Sequence, residues 1–355
     1  MPEPSLPAIQ ASDIPGAVKA TQPDKLQPQL ATLSKKLPTT GDWIYEVKLD
    51  GYRIMARIKN GKTRLVSRNG HDWTERMKPI AKSLDDLGLQ SAWLDGEVVV
   101  LNNAGIPDFN ALQNAFDSAR PGAIVYFLFD LPFFDGYDLR GVLLHVRRDV
   151  LRRLLQTKRL DRVRYSEDFA GDAASVLKGA CEMGLEGIIA KRRDAPYVSE
   201  RTSTWLKLKC SERQEFVVLG YVDRADSRNE VGSLLLGYYD DAGKLCYAGS
   251  VGTGWDSATA ADLRRRLATI EVDTPSLDPQ TVKPGGWSKR KPGGERWVRP
   301  ELVVEVSFSE WTPEGHVRHP AFRGIRTDEP AQEIRREVGI VPATSTASGK
   351  AGAAG

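Results

Sequence analysis

The sequence predicts an α+β domain over residues 25–212, followed by a small β-barrel domain of the OB type over residues 213–340. Up to about residue 212, short runs of alternating apolar residues, typical of strands, are interspersed with amphipathic stretches typical of helices. After Glu215, short strand-like runs are separated by Gly, Asn and Asp, with one helical stretch. Because small barrels of this type commonly bind nucleic acid, the second pattern is a first, weak indication of a DNA or RNA partner.

Strands of the first domain are predicted from alternation and from turn residues. Trp43, Tyr45 and Val47 alternate with other residues, which indicates a strand. Two runs, Tyr52–Ile58 and Arg64–Ser67, flank Asn60-Gly61, a strong hairpin signal because both residues tolerate positive φ. Further strands are predicted at Ala92–Leu101, Ile124–Leu131, Gly187–Arg192 and Thr204–Leu208.

Helices of the first domain are predicted at Asp108–Ser118, Asp149–Leu160 and Gly171–Met183. Asp108 is placed to cap the first of these helices. In the second domain, we predict strands at Phe216–Val222, Gly232–Tyr239, Leu245–Gly249 and Leu302–Phe308 and a helix at Ala258–Ala268.

The two ends of the chain differ from its middle. Residues 1–24 are rich in Pro, Ala, Ser and Gln, and residues 341–355 are almost all small or polar. We predict flexible segments at both ends, which is typical of a module that lies between other domains of a longer polypeptide.

Composition excludes little by itself. The net charge is only +3, although Lys and Arg predominate between Lys283 and Arg299, so this run predicts either a contact with a phosphate backbone or a solvated loop. The most apolar stretch, Ala123–Phe134, is too short to span a bilayer and predicts a buried strand. Three cysteines, odd in number and without a CxxC pair, argue against a disulfide framework and suit a reducing cytoplasm.

The segment Lys48-Leu49-Asp50-Gly51 suggests a nucleophile. A lysine at a strand end can project its amine into a cleft, and an amine becomes nucleophilic when positive charge or desolvation lowers its pKa. On its own the motif is as typical of a surface lysine beside a common turn.

Four further segments carry residues suited to a nucleotide. Glu97, in Asp95-Gly96-Glu97, suits a ribose hydroxyl or a hard cation, and Phe129 offers a face for a base. Glu186 immediately precedes a predicted buried strand. Lys207 and Lys209 alternate with leucines, so both lie on one strand face, where a phosphate would satisfy both charges.

In this order, the motifs resemble those of the covalent nucleotidyltransferase superfamily of ATP-dependent DNA ligases, RNA ligases and capping enzymes. The closest likeness is to the ligase module of bacterial end-joining ligase D, over about residues 26–330. The segments that carry it are YEVKLDGYR, SRNG, LDGE, EGIIAKRR, WLKLK and RHPAFRGIRTD. The resemblance implies an adenylation (nucleotidyltransferase) domain of mixed sheets and helices, followed by an OB-fold domain.

The resemblance also implies roles for individual residues. It implies AMP attachment at Lys48, with catalytic support from Lys207, Lys209, Arg326 and Asp328. The residues implied to bind the nucleotide are Glu46, Lys48, Arg53, Arg68, Glu97, Phe129, Lys191, Lys207 and Lys209, and those implied to hold a metal are Glu97 and Glu186.

One residue departs from the family pattern. The last motif is usually Arg-x-Asp-Lys, and this chain has Glu329 in place of the lysine. Because an acid there would repel departing pyrophosphate, we expect slower self-adenylation unless Arg326 or Arg323 supplies the positive charge.

The resemblance implies ATP and Mg²⁺ or Mn²⁺ as cofactors and nicked duplex DNA as substrate. It also suggests a Ku-like end-binding protein and a polymerase module as partners, and a bacterial, nucleoid-associated cytoplasmic location. The sequence leaves open an RNA ligase or capping-type transferase, and a non-catalytic DNA-binding protein with a degenerate transferase domain.

Overall fold

The computed structural model describes residues 9–117, 123–158, 160–169, 171–277, 282 and 294–339. The predicted α+β domain and the OB-type domain after it are both confirmed. In the described part of the chain, no helix is both long and apolar enough to cross a membrane.

In the described part of the first domain, four helices flank two sheets. Its strands are β1 Val18–Lys19, β2 Leu30–Leu33, β3 Trp43–Val47, β4 Tyr52–Lys59, β5 Lys62–Ser67, β6 Ser91–Val100, β7 Ile124–Phe134, β8 Tyr137–Asp138, β9 Val163–Tyr165, β10 Asp168–Phe169, β11 Gly187–Arg192 and β12 Arg201–Lys209. Its helices are α1 Lys78–Asp85, α2 Phe109–Asp117, α3 Leu144–Gln156 and α4 Ala173–Glu182. One sheet has the order β1-β8-β7-β6-β4-β5 with β9 beside β7, and the other has the order β10-β3-β11-β12-β2.

The aromatic contact between Phe129 and Trp205 joins the two sheets. Phe129 lies on β7 and Trp205 on β12, with ring centroids 6.1 Å apart in an edge-to-face arrangement, and both side chains are buried. The large apolar core lies on the other side of the first sheet, where α1, α2 and α3 cover it. The face between the sheets carries Phe129 together with polar side chains such as Arg53 and Asp95.

One strand of the second domain, β13 (Glu212–Arg224), pairs with three others. Its elements are β13 Glu212–Arg224, β14 Ser227–Tyr239, β15 Leu245–Val251, α5 Ser257–Ala268, β16 Glu271–Val272, β17 Glu295–Val298, β18 Val303–Phe308, β19 Glu310–Trp311, β20 Val317–Arg318 and β21 Ala321–Arg326. β13 pairs with β14 along one edge, and with β18 and then β17 along the other. Among the described residues the ring of pairings does not close, and the arrangement agrees with an OB fold.

The predicted hairpin is present, with Asn60 at φ 52° and Gly61 at φ 73° between β4 and β5. One helix prediction was displaced: the helix predicted at Asp149–Leu160 begins at Leu144 and ends at Gln156. Its first turns bury two arginines, Arg147 and Arg148, so apolar periodicity did not indicate where it begins.

Two further predictions were wrong. Residues 9–24 are not a flexible segment, because Ala11 and Ile14 are buried in the main core and β1 pairs with β8. Cys181 and Cys210 form a disulfide across 29 positions, because the end of α4 lies beside the end of β12. Cys246 is a free thiol.

Contacts from the second domain close it over the first. The Arg326 guanidinium donates to the carbonyl of Gly51 at 3.1 Å, and Gln113 on α2 donates to the carbonyl of Ile325. The edge of the second domain that ends in Arg326 therefore faces the loop that carries Lys48.

Candidate active site between the two domains

A cavity of about 720 Å³ lies between the two sheets and the second domain. This volume falls within the roughly 300–1,000 Å³ that is typical of small-molecule sites. The candidate site residues that line it are Glu46, Lys48, Arg53, Arg68, Glu97, Phe129, Lys191, Lys207, Arg326 and Asp328. Glu186 and Lys209 reach the same place through ion pairs with residues of the cavity wall.

Lys48 directly follows β3, and its backbone N–H donates to the carbonyl of Gly187 at 2.9 Å. Its ammonium group forms an ion pair with Glu186, and the Lys48 side chain remains 21% exposed toward the cavity. The turn after it needs glycine, because a Cβ on Gly51 would lie 2.1 Å from the carbonyl oxygen of Val98. The motif therefore places a lysine amine at the cavity wall with a carboxylate beside it.

Positive charge dominates the surroundings of Glu186. Burial alone would raise the pKa of this carboxyl, but Lys48, Lys209 and Arg213 outweigh burial and lower the pKa to about 2. Glu186 is therefore ionised at neutral pH and orients the Lys48 side chain.

Glu46 is a buried residue of the cavity wall. Its carboxylate accepts from Arg148 at 2.7 Å and from the hydroxyl of Ser166 at 3.1 Å, and it lies 2.7 Å from the ammonium of Lys191. Burial lowers the pKa of Lys191 to about 8, although the Glu46 carboxylate favours its charged form. Glu46, which the resemblance implies to bind the nucleotide, is thus held by two cations.

Arg53 is fixed in orientation. Its guanidinium donates two hydrogen bonds to Asp95, at 2.6 and 2.7 Å, and lies over the Phe129 ring at 4.4 Å. The hydroxyl of Tyr197 donates to the same carboxylate at 2.7 Å. Arg53 therefore lies over one face of Phe129, the ring that was predicted to stack on a base.

Glu97 lies opposite Arg53 in the pairing of β4 with β6. Burial raises its pKa to about 8, against the opposing positive charges of Arg53, Arg326 and Lys48. Among the described residues, no group of three or more acidic, His or Cys side chains is arranged to hold a metal ion. Because Mg²⁺ commonly takes one or two carboxylates and completes its shell with substrate phosphates and water, Glu97 and Glu186 fit such an ion bound together with substrate.

Lys207 and Lys209 lie on β12, opposite Ile189 and Gly187 of β11. Both ammonium groups form ion pairs with one carboxylate, that of Glu337, which follows the last strand of the second domain, β21. Both ammonium groups reach the same carboxylate, in agreement with the prediction that the two lysines share one strand face.

Arg326 is held in place by acids. It donates to both oxygens of Asp328, at 2.9 and 2.7 Å, and to Glu305 at 3.3 Å. Glu329, the acid that replaces the usual lysine, pairs with Arg68, so neither residue of this pair presents an uncompensated charge. The pair joins the first domain to the end of the second.

The basic run 283–299 lies mostly outside the described residues. Of its cations, Arg296 donates to Asp223 at 3.0 Å and Arg299 donates to Glu301 at 2.7 Å. The proposed contact with a DNA backbone thus stays a prediction.

Sequence reasoning missed four residues that hold the site together: Arg148, Tyr197, Arg213 and Glu337. Arg148 contacts Glu46 across 102 positions, and Arg213 bridges Asp50 and Glu305. No local pattern identifies such partners, because they become neighbours only when distant segments pack together in the fold. The one available signal was the adjacent pair Arg147-Arg148 at positions where a helix needs apolar residues.

Comparison with known proteins agrees with this geometry. Residues 27–209 match the family described as ATP dependent DNA ligase domain, and residues 227–329 match ATP dependent DNA ligase C terminal region. A multifunctional non-homologous end joining protein, LigD of Pseudomonas aeruginosa, is 45% identical over 94% of this chain and 40% of its own length. The chain thus spans about two fifths of that relative.

Two further matches extend over most of the chain that is matched. DNA ligase C1 of Mycolicibacterium smegmatis is 30% identical over 80% of this chain and 84% of its own length. A solved structure of mycobacterial DNA ligase D complexed with ATP and MES is 36% identical, with a TM-score of 0.63. The match covers 88% of this chain and 98% of the chain in that structure. The likeness to end-joining ligase D that the motifs suggested is confirmed. On these matches, the chain belongs to the ATP-dependent DNA ligases, a family of enzymes.

Proposed function

We propose that this chain seals nicks in duplex DNA through AMP carried on Lys48. The observation that carries the proposal is the placement of the Lys48 amine at the cavity wall, beside Glu186 and near the cationic strand β12.

Three displacements at phosphorus make up the reaction. The Lys48 amine, after losing a proton to solvent, attacks the α-phosphorus of ATP, and pyrophosphate leaves. A 5′-phosphate oxygen at the nick then attacks the phosphorus of the lysyl-AMP, which breaks the bond to Lys48. Finally, the 3′-hydroxyl attacks the activated 5′-phosphate and AMP leaves.

The protein contributes positioning and charge to each displacement. Lys207 and Lys209 are assigned to the phosphate oxygens, where charge-assisted hydrogen bonds stabilise the transferring group. Glu46 and Lys191 are assigned to the base, with Phe129 as its stacking ring. Arg53 and Glu97 are assigned to the ribose. We assign Arg68, Arg326 and Asp328 to contacts with the polyphosphate of ATP and with the phosphate at the nick.

A divalent ion, Mg²⁺ or Mn²⁺, is proposed to bind with the substrate near Glu97 and Glu186, where it would neutralise phosphate charge. Because burial keeps Glu97 protonated up to about pH 8, ion binding there requires loss of a proton.

One domain movement follows from the chemistry. The second domain presents Arg326 while ATP reacts, and it must then move so that another face covers DNA. The hinge is proposed at residues 210–215, where Arg213 holds Asp50 and Glu305 in the closed state. The basic run 283–299 is proposed to contact the DNA backbone, so binding should weaken steeply with added salt.

The cellular role is proposed from the relatives. Because they are named for non-homologous end joining, we infer a role in DNA end joining, in the bacterial cytoplasm. The domains proposed are an adenylation domain over residues 25–212 and an OB-fold domain over residues 213–340, in a longer polypeptide that includes a polymerase module and works with a Ku-like protein.

The test combines adduct formation with sealing. The chain is incubated with α-labelled ATP, Mg²⁺ and nicked duplexes whose nick strand is DNA or RNA. The wild type should become labelled and seal the DNA nick, and Lys48→Ala should do neither. Lys62→Ala, at a lysine whose side chain is 83% exposed, is the matched control and should retain both activities. Labelling of Lys48→Ala, or sealing restricted to RNA, would refute the proposal.

A further inference from the structure

The segment that follows the last strand of the second domain, β21, runs back into the cavity. We define Pro330–Val338 as the C-terminal strap. Its Ala331 and Ile334 are buried against Val217 and Val303 of the second domain. Because these apolar contacts anchor its first half, the strap leaves the second domain at a fixed place.

A buried glutamine directs the second half of the strap. Gln214 on β13 is 1% exposed, and its side-chain oxygen accepts from the backbone N–H of Glu337 at 3.1 Å. Its side-chain nitrogen donates to the carbonyl of Arg335 at 3.4 Å. The strap is thereby aimed at β12 and not at solvent.

Glu337 lies between the two cations that are assigned to phosphate. One carboxylate oxygen pairs with Lys207, and the other accepts from Lys209 at 2.9 Å. Burial would raise the pKa of Glu337, but the two ammonium groups hold it far below its ordinary value. An anionic group that spans two ammonium groups makes the contacts that two phosphate oxygens would make.

The same segment also neutralises a third cation of the cavity wall, Arg68. Arg68 pairs with Glu329, the residue before the strap, and donates to Glu333 of the strap at 3.1 Å. Residues 329, 333 and 337 thus recur every four positions, and each meets a cation that faces the cavity. The cavity wall itself includes Glu333, Glu337 and Val338.

We propose that the C-terminal strap is an autoinhibitory element that competes with the phosphates of ATP for Lys207, Lys209 and Arg68. This inference rests on the proposed assignment of the cavity to ATP. Nucleotide binds only after the strap withdraws. The apparent affinity for ATP is therefore the intrinsic affinity multiplied by the fraction of molecules in which the strap is withdrawn.

The test measures nucleotide binding separately from catalysis. The full chain is titrated calorimetrically with α,β-methylene-ATP, which binds like ATP but cannot be split at the α-phosphate. Glu337→Gln removes the charge that spans the two lysines. Gln214→Met keeps that charge but removes the contacts that seat the strap. Glu314→Gln, in the exposed turn between β19 and β20, is the matched control.

Glu337→Gln and Gln214→Met should each bind the analogue about tenfold more tightly, as expected if the strap is seated in about nine molecules of ten. Glu314→Gln should bind like the wild type. Tightening in Gln214→Met is decisive, because that variant keeps every charge of the wild type and changes only the seating of the strap.

Two results separate this proposal from the proposed function. If the variants bind the analogue more tightly but no protein forms an adduct or seals a nick, the autoinhibitory role of the strap is supported and the ligase function is refuted. If the wild type forms an adduct but both variants bind the analogue no better than the wild type, the autoinhibitory role of the strap is refuted. Absence of analogue binding in every protein also refutes that role.

Discussion

Replacing Arg148 with methionine should destabilise the first domain and disturb the nucleotide cavity together. Arg148 lies on α3 and is almost fully buried, and its guanidinium donates to Glu46 at 2.7 Å and to the carbonyl of Ser166 at 2.8 Å. Methionine fills a similar volume but leaves the Glu46 carboxylate with Lys191 as its sole remaining charged partner among these contacts.

The expected loss is worked from the partners that remain. Breaking a buried ion pair by removing one member costs about 3–5 kcal/mol. Because Lys191 stays 2.7 Å from Glu46, we expect the lower end, about 3 kcal/mol. With a urea slope of about 3 kcal/mol per M, the unfolding midpoint should fall by about 1 M.

The assay is urea unfolding followed by tryptophan fluorescence, with Arg153→Met as the matched control. Arg153 lies on the same helix, and its side chain is 39% exposed and 3.9 Å from Asp149. An exposed pair of this kind contributes at most about 1 kcal/mol. Equal midpoint shifts in the two variants would refute the reasoning, since burial would then not determine the cost.

Arg148→Met should also weaken binding of α,β-methylene-ATP, because Glu46 loses the contact that fixes its orientation. The charge of Arg148 helps to lower the pKa of Lys191, so the variant should raise that pKa above about 8. Unchanged nucleotide affinity would show that the orientation of Glu46 does not matter for binding.

Three further outcomes are expected. Tyr197→Phe removes the donor to Asp95, so unfolding should cost about 1–3 kcal/mol less and the KM for ATP should rise, as urea titration and adduct kinetics would measure. Burial lowers the pKa of Lys191 to about 8 from 10.5. The buried ammonium therefore lowers the free energy of unfolding by its full amount below pH 8, and by less as pH rises toward 10.5 and the folded protein releases the proton. The wild type should therefore gain about 2 kcal/mol relative to Lys191→Met between pH 7.5 and 9.5, and an equal response of both proteins would contradict this. Reduction of the disulfide between Cys181 and Cys210 should lower the free energy of unfolding by about 3–4 kcal/mol, and thiol titration should find two additional thiols after reduction.

The local patterns of the sequence were sufficient for the fold class and for one face of the site. Alternation at Lys207 and Lys209 requires both side chains to lie on one side of a strand, whatever that strand pairs with. Asn60 and Gly61 fixed the hairpin, because both adopt positive φ there. Gly51 was needed beside Lys48 because the loop approaches a neighbouring strand.

Tertiary structure alone decided which charges meet. Glu46 and Arg148 are 102 positions apart, and Lys207 and Glu337 are 130 apart. Periodicity describes how one segment exposes its own faces, but it contains no information about which distant segment will pack there. The sequence alone did not distinguish the paired arginines at the start of α3 or the acids of the C-terminal strap from exposed charged residues, because a buried charge differs from an exposed one only by its distant partners.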